Sequence, residues 1–282
     1  MRRIAVLLIV SGLSVCLLSA PGFGQDALGG PAGPVGYADF GEPSGGSGTV
    51  VISDVPSYIW YHGCGPTAAG MIIGYWDAHG FSNLIVGSND WSSNQTAVKA
   101  MIASEGHIRD YVPTPDRVAT LEDPYHPDDC VADFGRTSRN PLEHGWAYYS
   151  YQDDSLRNYA IHRGYETSTA YSRSYSASLW DYLTAAIDDN HPVELLVDSD
   201  GNGSTDHFIT MIGYDDTPGA PRYACMDTWS HTVRWEAYHQ TINGDRWGVY
   251  GATFFSPAPE PVFLTPLLLL AALKRRRRQV LP

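Results

Sequence analysis

The stretch Tyr58-Ile59-Trp60-Tyr61-His62-Gly63-Cys64-Gly65-Pro66-Thr67-Ala68-Ala69-Gly70-Met71-Ile72-Ile73-Gly74-Tyr75-Trp76 decides how this sequence folds. From Pro66 onward, small and apolar residues run without a charge to Trp76, and Asp77-Ala78-His79-Gly80 closes the segment. Proline suits the first turn of a helix and glycine the position just past its end. A buried helix is therefore expected here, with Cys64 at its mouth. The first turn of a helix carries N–H groups that lack intrahelical partners, and the helix dipole favours an anion there. A thiol in that position ionises more readily, and the thiolate is the nucleophile. The flanking glycines let a substrate backbone come close. A small buried cysteine that merely begins a helix is the alternative, and this stretch alone does not choose between the two.

Residues further along the chain bear on that choice. Ser178-Leu179-Trp180-Asp181 reads as a capping box, opening an amphipathic helix through Leu183, Ala186 and Ile187 that His191-Pro192 ends. Val193 to Val197 reads as a strand, followed by a tight acidic loop and then His207-Phe208-Ile209-Thr210-Met211-Ile212-Gly213-Tyr214-Asp215-Asp216. His207 thus heads a buried strand. Tyr223-Ala224-Cys225-Met226-Asp227-Thr228-Trp229 supplies another short strand carrying Asp227. Thiol catalysis needs a base to take the thiol proton and a third group to hold the imidazole tautomer. Cys64, His207 and Asp227, each at the end of an element, fill those roles in chain order.

The Cys-Gly-Pro-Thr-Ala helix, the helix and strand before His207, and the run from His207 to Asp216 resemble papain-like cysteine peptidases. The branch is that of the double-glycine leader peptidases, the peptidase C39-like group, and their secreted single-domain relatives. The resemblance spans about Val51 to Phe255 and is concentrated around Cys64 and His207. It implies an α+β fold: a helical lobe carrying the nucleophile helix, packed on an antiparallel β-sheet, with the site in the cleft between. It also implies Cys64 as nucleophile, His207 as general base and then acid, and Asp227 as the orienting carboxylate. The family usually has a Gln about six residues before the Cys, whose amide helps bind the oxyanion. Tyr58 stands there instead, leaving Tyr58 or His62 as candidates to join the Cys64 N–H as donors. The expected activity is hydrolysis of a peptide or protein substrate, or a related acyl transfer, with no cofactor required. The rival expectations are a catalytically silent binding module and a matrix protein at the cell surface.

Asp198-Ser199-Asp200-Gly201-Asn202-Gly203-Ser204-Thr205-Asp206 matches the start of a calcium loop. Asp198, Asp200, Asn202, Ser204 and Asp206 fall at alternate positions, with Gly203 at the sharp turn. Ile209 replaces the usual bidentate Glu, so a weak Ca²⁺ site is one expectation and an acidic turn the other. His126, Asp128, Asp129 and Cys130 lack a second ligand cluster of convincing spacing and read as a polar loop. The aromatic run Trp146 to Tyr151 reads as filling of the sheet, with the lining of a cleft as the alternative.

Charge and the chain ends set the context. The 282 residues carry 18 basic and 31 acidic side chains, for a net charge of −13. Arg2, Arg3 and Lys274 to Arg278 hold seven of the basic residues, so 30 acids face 11 bases between Gln25 and Ser256. Such a surface repels phosphate backbones and excludes nucleic acid as a partner. Residues 1–24, two arginines followed by a short apolar run, read as a secretory signal. Residues 25–50 read as a flexible Gly/Pro/Ser linker and 51–256 as the catalytic domain. In residues 257–282, Pro259-Glu260-Pro261, an apolar segment and a basic cluster resemble a PEP-CTERM sorting signal. That resemblance implies export from a Gram-negative cell, transient membrane contact through the tail, and its removal by an exosortase-type enzyme. With Cys16 in the leader, three cysteines remain: a Cys130–Cys225 disulfide would leave Cys64 free, and three buried cysteines without a disulfide are the alternative.

Overall fold

The computed structural model describes residues 26–27, 48–111, 126–138 and 145–257. The leader, most of the linker and the sorting tail lie outside the described residues. The elements are β1 (Asp26–Ala27), β2 (Thr49–Val51), α1 (Cys64–Ala78), α2 (Gln95–Ile102), α3 (Glu105–Tyr111), α4 (Val131–Phe134) and β3 (Ala147–Tyr148). A 3-10 turn (Tyr149–Tyr151) then leads into α5 (Gln152–His162), β4 (Thr169–Ser174), α6 (Leu179–Asp188) and β5 (Val193–Asp198). The chain continues through β6 (His207–Asp215), β7 (Arg222–Met226), β8 (Val233–Ala237) and β9 (Gly248–Ser256). The fold is α+β, as expected: helices packed on an antiparallel sheet of seven strands in the order β4-β9-β5-β6-β7-β8, with β2 also on β6.

Helix α1 is apolar because it is enclosed: every residue from Cys64 to Tyr75 is buried. Its glycines mark close approaches, with Gly70 against the Ile102 side chain of α2 and Gly74 against the Tyr58 ring. It stops as the sequence predicts. Gly80 takes φ 100°, Phe81 N–H donates to Trp76 O at 3.2 Å, and the Phe81 and Trp76 rings meet edge to face. Strands β5 and β6 are buried along their whole length, so both faces of the sheet centre are covered. Alternation puts Phe208 and Thr210 on the α1 face. Thr210 Oγ1 donates to Ala68 O at 2.9 Å, pinning the second turn of α1 to β6.

One local expectation needs correction. No capping box forms at α6: Ser178 is already helical in backbone, and its hydroxyl meets that of Ser176 at 3.3 Å instead of a backbone amide. In the aromatic run at 146–151, β3 pairs with β1 among the described residues, while Tyr149 packs on the main sheet, its hydroxyl donating to Arg173 O of β4 at 2.8 Å. Strand pairing extends into the expected linker: Thr49 and Val50 pair with Asp215 and Tyr214, and Asp26–Ala27 pairs with β3.

Candidate active site

Two left-handed residues aim Cys64. His62 has φ 58° and Gly63 φ 137°, so the chain reverses sharply before α1 begins. A Cβ on Gly63 would lie 2.9 Å from both Gly145 O and Thr137 Cγ2, which leaves room for glycine alone. Thr67 locks the turn, its hydroxyl donating to Gly63 O at 2.6 Å and accepting from Tyr61 N–H at 3.0 Å. The first intrahelical bond runs from Thr67 N–H to Gly63 O, so the amides of Cys64 and Gly65 precede it and lie at the positive end of the helix. Cys64 itself is fully buried in a small cluster with Ala68, Ala147, Tyr149, Leu196 and Phe208, against which Trp60 and Tyr250 pack.

His207 lies at the head of β6, next to the Phe208 that shares the Cys64 cluster. Its ring stacks on Trp229, centroids 3.7 Å apart and planes 7° from parallel. Its Nε2 is 2.8 Å from the backbone carbonyl of Asp227. A carbonyl can only accept, so Nε2 carries the proton and Nδ1 of the neutral ring is the basic nitrogen. Burial lowers the imidazole to about 4, against the bond and charge of Asp227, which raise it. The ring is therefore neutral at neutral pH. Its buried Nδ1 makes no hydrogen bond among the described residues, to the Cys64 thiol or to any other group.

The loop after β7 ties the two parts together. Trp60 N–H donates to Thr228 O at 2.6 Å, and Ser57 Oγ donates to Ser230 O at 3.2 Å. The segment leading to Cys64 is thus fastened to the loop whose preceding carbonyl holds His207. The Asp227 carboxylate organises that loop. Its Oδ1 accepts from the amides of Trp229 and Ser230, each at 2.9 Å, and its Oδ2 from Arg234 Nε at 3.2 Å. This corrects the expected role: the backbone of Asp227, not its carboxylate, holds the imidazole.

Neither expected oxyanion side chain stands at Cys64. Tyr58 packs over Gly74 and donates to Asn89 O at 2.6 Å. Gly74 lies ten residues along α1 from Cys64, about 15 Å at 1.5 Å per residue. The His62 ring packs edge-on against Tyr61 and His107, toward the helical lobe. A different amide is present. Gln152, at the start of α5, is buried, and a Cβ on Gly65 would lie 3.4 Å from its Oε1. Its Nε2 donates to Tyr148 O at 3.0 Å, which uses one of two amide protons. Nothing in the local sequence signals this neighbour, because 87 residues separate it from Gly65.

The remaining sequence candidates separate from the site. Cys130 lies ahead of α4 and Cys225 in β7, and neither is in a disulfide, so the expected Cys130–Cys225 bridge is not formed. The expected calcium loop closes on itself as a turn. Asp198 accepts from the amides of Gly201 and Gly203 at 2.8 and 2.7 Å, Asp206 from Ser199 N–H at 2.6 Å, and Asn202 Oδ1 from Ser204 N–H at 2.8 Å. Asp200 accepts from Asn202 N–H at 3.0 Å. Among the described residues, the groups of three or more converging metal-binding side chains lie in the helical lobe, not here.

The chain is similar over most of its length to a candidate C39-like peptidase from Bacillus anthracis, at 13% identity and a TM-score of 0.39, covering 74% of this chain and 97% of that one. It is similar to the interpain A cysteine protease of Prevotella intermedia at 11% identity and a TM-score of 0.42, covering 79% and 99%. Procathepsin L 3 from the larval midgut of Tenebrio molitor matches at 15% identity and a TM-score of 0.35, covering 83% and 75%. No curated protein matches. The model of the Peptidase_C39 like family matches residues 52–253, from Ile52 ahead of α1 to Thr253 in β9, and so takes in Cys64, Gln152, His207 and Asp227. The chain belongs to the Peptidase_C39 like family.

Proposed function

We propose that the protein is an exported cysteine peptidase in which Cys64 attacks a peptide carbonyl and His207 moves the proton. The observation that carries this reading is the tautomer of His207. With Nε2–H committed to the Asp227 carbonyl, Nδ1 has a lone pair and no other partner among the described residues. In the first step the thiol proton passes to Nδ1, an S–C bond forms, and the carbonyl oxygen becomes an oxyanion at the start of α1. The Cys64 amide is its donor, and Gln152 joins it once its side-chain amide turns to bring Nε2–H in place of Oε1, the atom that faces Gly65. The C–N bond then breaks as the imidazolium returns its proton to the departing amine. Water cleaves the thioester by the same path. Because His207 is neutral before substrate binds, it acts as a general base and not as half of a standing ion pair. The buried thiol and the unmade Sγ–Nδ1 bond mean that the lobes tighten on substrate after Trp60 and Tyr250 yield. Catalytic hydrogen bonds are often long before substrate arrives.

The leader-like residues 1–24 and the PEP-CTERM-like tail support a location outside the cytoplasm, with peptide or protein substrates and an exosortase-type enzyme to remove the tail. The test is hydrolysis of a peptide library by the full chain, read by mass spectrometry beside Cys64→Ala and His207→Ala. Cleavage in the parent and loss in both variants is the expected result. Cleavage that survives either variant overturns the mechanism. No cleavage by any of the three, with peptides retained, favours the silent binding module, for which the buried thiol is the supporting observation.

A further inference from the structure

A second group of reactive side chains lies in the helical lobe, where the sequence reads as a polar loop. His107 and Asp110 come from α3, His126 from the segment ahead of α4, Cys130 from the residue before α4, and Asp133 from α4 itself. His107 Nδ1 is 2.7 Å from Asp133 Oδ1, and Cys130 Sγ is 3.2 Å from Asp133 Oδ2. His126 Nε2 stands 3.6 Å from Asp133 Oδ1 and 3.8 Å from Asp110 Oδ2. Donor atoms of His107, Cys130 and Asp133 all fall within 4.8 Å of one another, as do those of His126, Asp129 and Asp133. Asp133 belongs to both groups. The side chains of His107 and Asp133 are 0% exposed, that of Asp110 is 1% exposed and Cys130 is 0% exposed. Enclosing imidazoles, a thiol and carboxylates together is costly unless they pair or coordinate a cation.

We propose that this cluster is a structural metal site for a zinc-like divalent cation, held by His107, Cys130 and Asp133 and completed by His126. The donor set selects the metal. Imidazole nitrogen with thiolate sulfur suits Zn²⁺, whereas Ca²⁺ and Mg²⁺ take oxygen ligands throughout. Ligands at ~2.0–2.3 Å from a tetrahedral zinc stand roughly 3.3–3.8 Å apart, so the observed separations need to shift by about 1 Å at most. Binding exchanges the Cys130 thiol proton for the metal and releases it to solvent; nothing is oxidised or reduced. The site would clamp α3 to α4 across 22 intervening residues, from 108 to 129. It also backs the nucleophile turn. The His62 ring meets that of His107, centroids 6.3 Å apart, and Thr137, just beyond α4, packs on Gly63. The metal therefore stabilises the platform that aims Cys64 without touching the substrate.

The test uses the full chain carrying Cys64→Ala, which removes the other thiol–imidazole pairing and keeps the result independent of peptidase activity. Metal-free protein is titrated with Co²⁺, following the thiolate-to-cobalt charge-transfer band and the visible bands of tetrahedral cobalt. Zn²⁺ is then added in competition, and unfolding temperature is followed in parallel. One equivalent of Co²⁺ giving a thiolate band, displaced by Zn²⁺ with a rise in unfolding temperature, is the expected result. Adding Cys130→Ser abolishes the band while adding Cys225→Ser leaves it, and adding His107→Ala weakens Co²⁺ affinity about tenfold or more. Absence of a thiolate band in the Cys64→Ala protein, with its cooperative unfolding transition retained, overturns the proposal, because that protein keeps all four proposed ligands. A band that survives Cys130→Ser overturns it equally.

Discussion

Replacing Glu194 with Gln should make the protein more stable, by an amount that grows with pH. Glu194 lies in the middle of the sheet on β5, opposite Thr210 of β6 and Thr253 of β9, and is 1% exposed. Among the described residues neither carboxyl oxygen has a hydrogen-bond partner, because the surrounding donors are committed elsewhere. Thr210 donates to Ala68 O, the Tyr149 hydroxyl to Arg173 O, and Thr253 shares a bond with Ser172. Burial pushes the carboxyl well above its ordinary 4.5, with the negative charge of Asp153 adding to the effect. Below that ordinary value Glu194 is protonated in folded and unfolded chains alike, and pH has no leverage. Above it the unfolded chain releases the proton while the folded chain keeps it, so rising pH favours unfolding. The slope is about 1.4 kcal/mol per pH unit until the folded carboxyl itself ionises. Between pH 5 and 7 the variant should thus gain on the parent, by up to about 1.4 kcal/mol for each pH unit over which the folded carboxyl stays protonated. A buried Gln amide has its own unmet hydrogen bonds, which shift the whole difference but not its slope. Urea unfolding of both proteins at about pH 4, 5, 6 and 7 reads that difference directly, since every other titrating group cancels. Stability curves that run parallel across the range would refute a protonated, unpartnered Glu194.

The site makes further predictions. Asp227→Asn should lower kcat by less than about 10², because the His207 tautomer is set by a backbone carbonyl; a carboxylate orienter would cost about 10⁴. Steady-state kinetics with a cleaved peptide separates the two. Gln152→Ala should reduce kcat by ~10²–10³ with little change in KM, the signature of a lost oxyanion donor. An unchanged kcat would leave Gln152 as packing. The acid limb of kcat/KM should fall near pH 4, where His207 takes up its proton and ceases to be a base. A limb near the ordinary imidazole value of 6.5 would show that the ring is more solvated than this structure has it.

The sequence discloses α1, α6 and the strands from β5 to β7 because each is written in a local code. Pro66 and Gly80 bracket an unbroken apolar run, and the apolar run of β6 follows an acidic turn. The nucleophile turn is less legible: Gly63 reads as room for a substrate backbone, whereas the structure needs it for φ 137° and the close approach of Gly145 O. What stays hidden depends on contacts between distant residues. Gln152 reaches Gly65 through the packing of α5, and no spacing around Cys64 announces it. The partner of His207 is a main-chain atom, and side-chain identity carries no information about that, so the sequence points to the Asp227 carboxylate as the acceptor that orients the ring. Tyr58 holds the family position of the oxyanion amide, yet Gly74 leaves a gap that its ring fills instead. The helical lobe between Phe81 and Ser176 is least legible. His107 and Cys130 meet only after α3 and α4 fold, and neither has a ligand-like spacing to the other.

The central claim is that Cys64 is a nucleophile served by His207, and thiol alkylation tests it most directly. Cys64, Cys130 and Cys225 are all fully buried, so exposure alone ranks none of them ahead. The full chain is treated with iodoacetamide under native conditions, and the modification of each cysteine is timed by peptide mass spectrometry. The account predicts that Cys64 reacts faster than Cys130 and Cys225, and that His207→Ala removes that lead. Equal rates at the three thiols, or a Cys64 rate indifferent to His207, would contradict it.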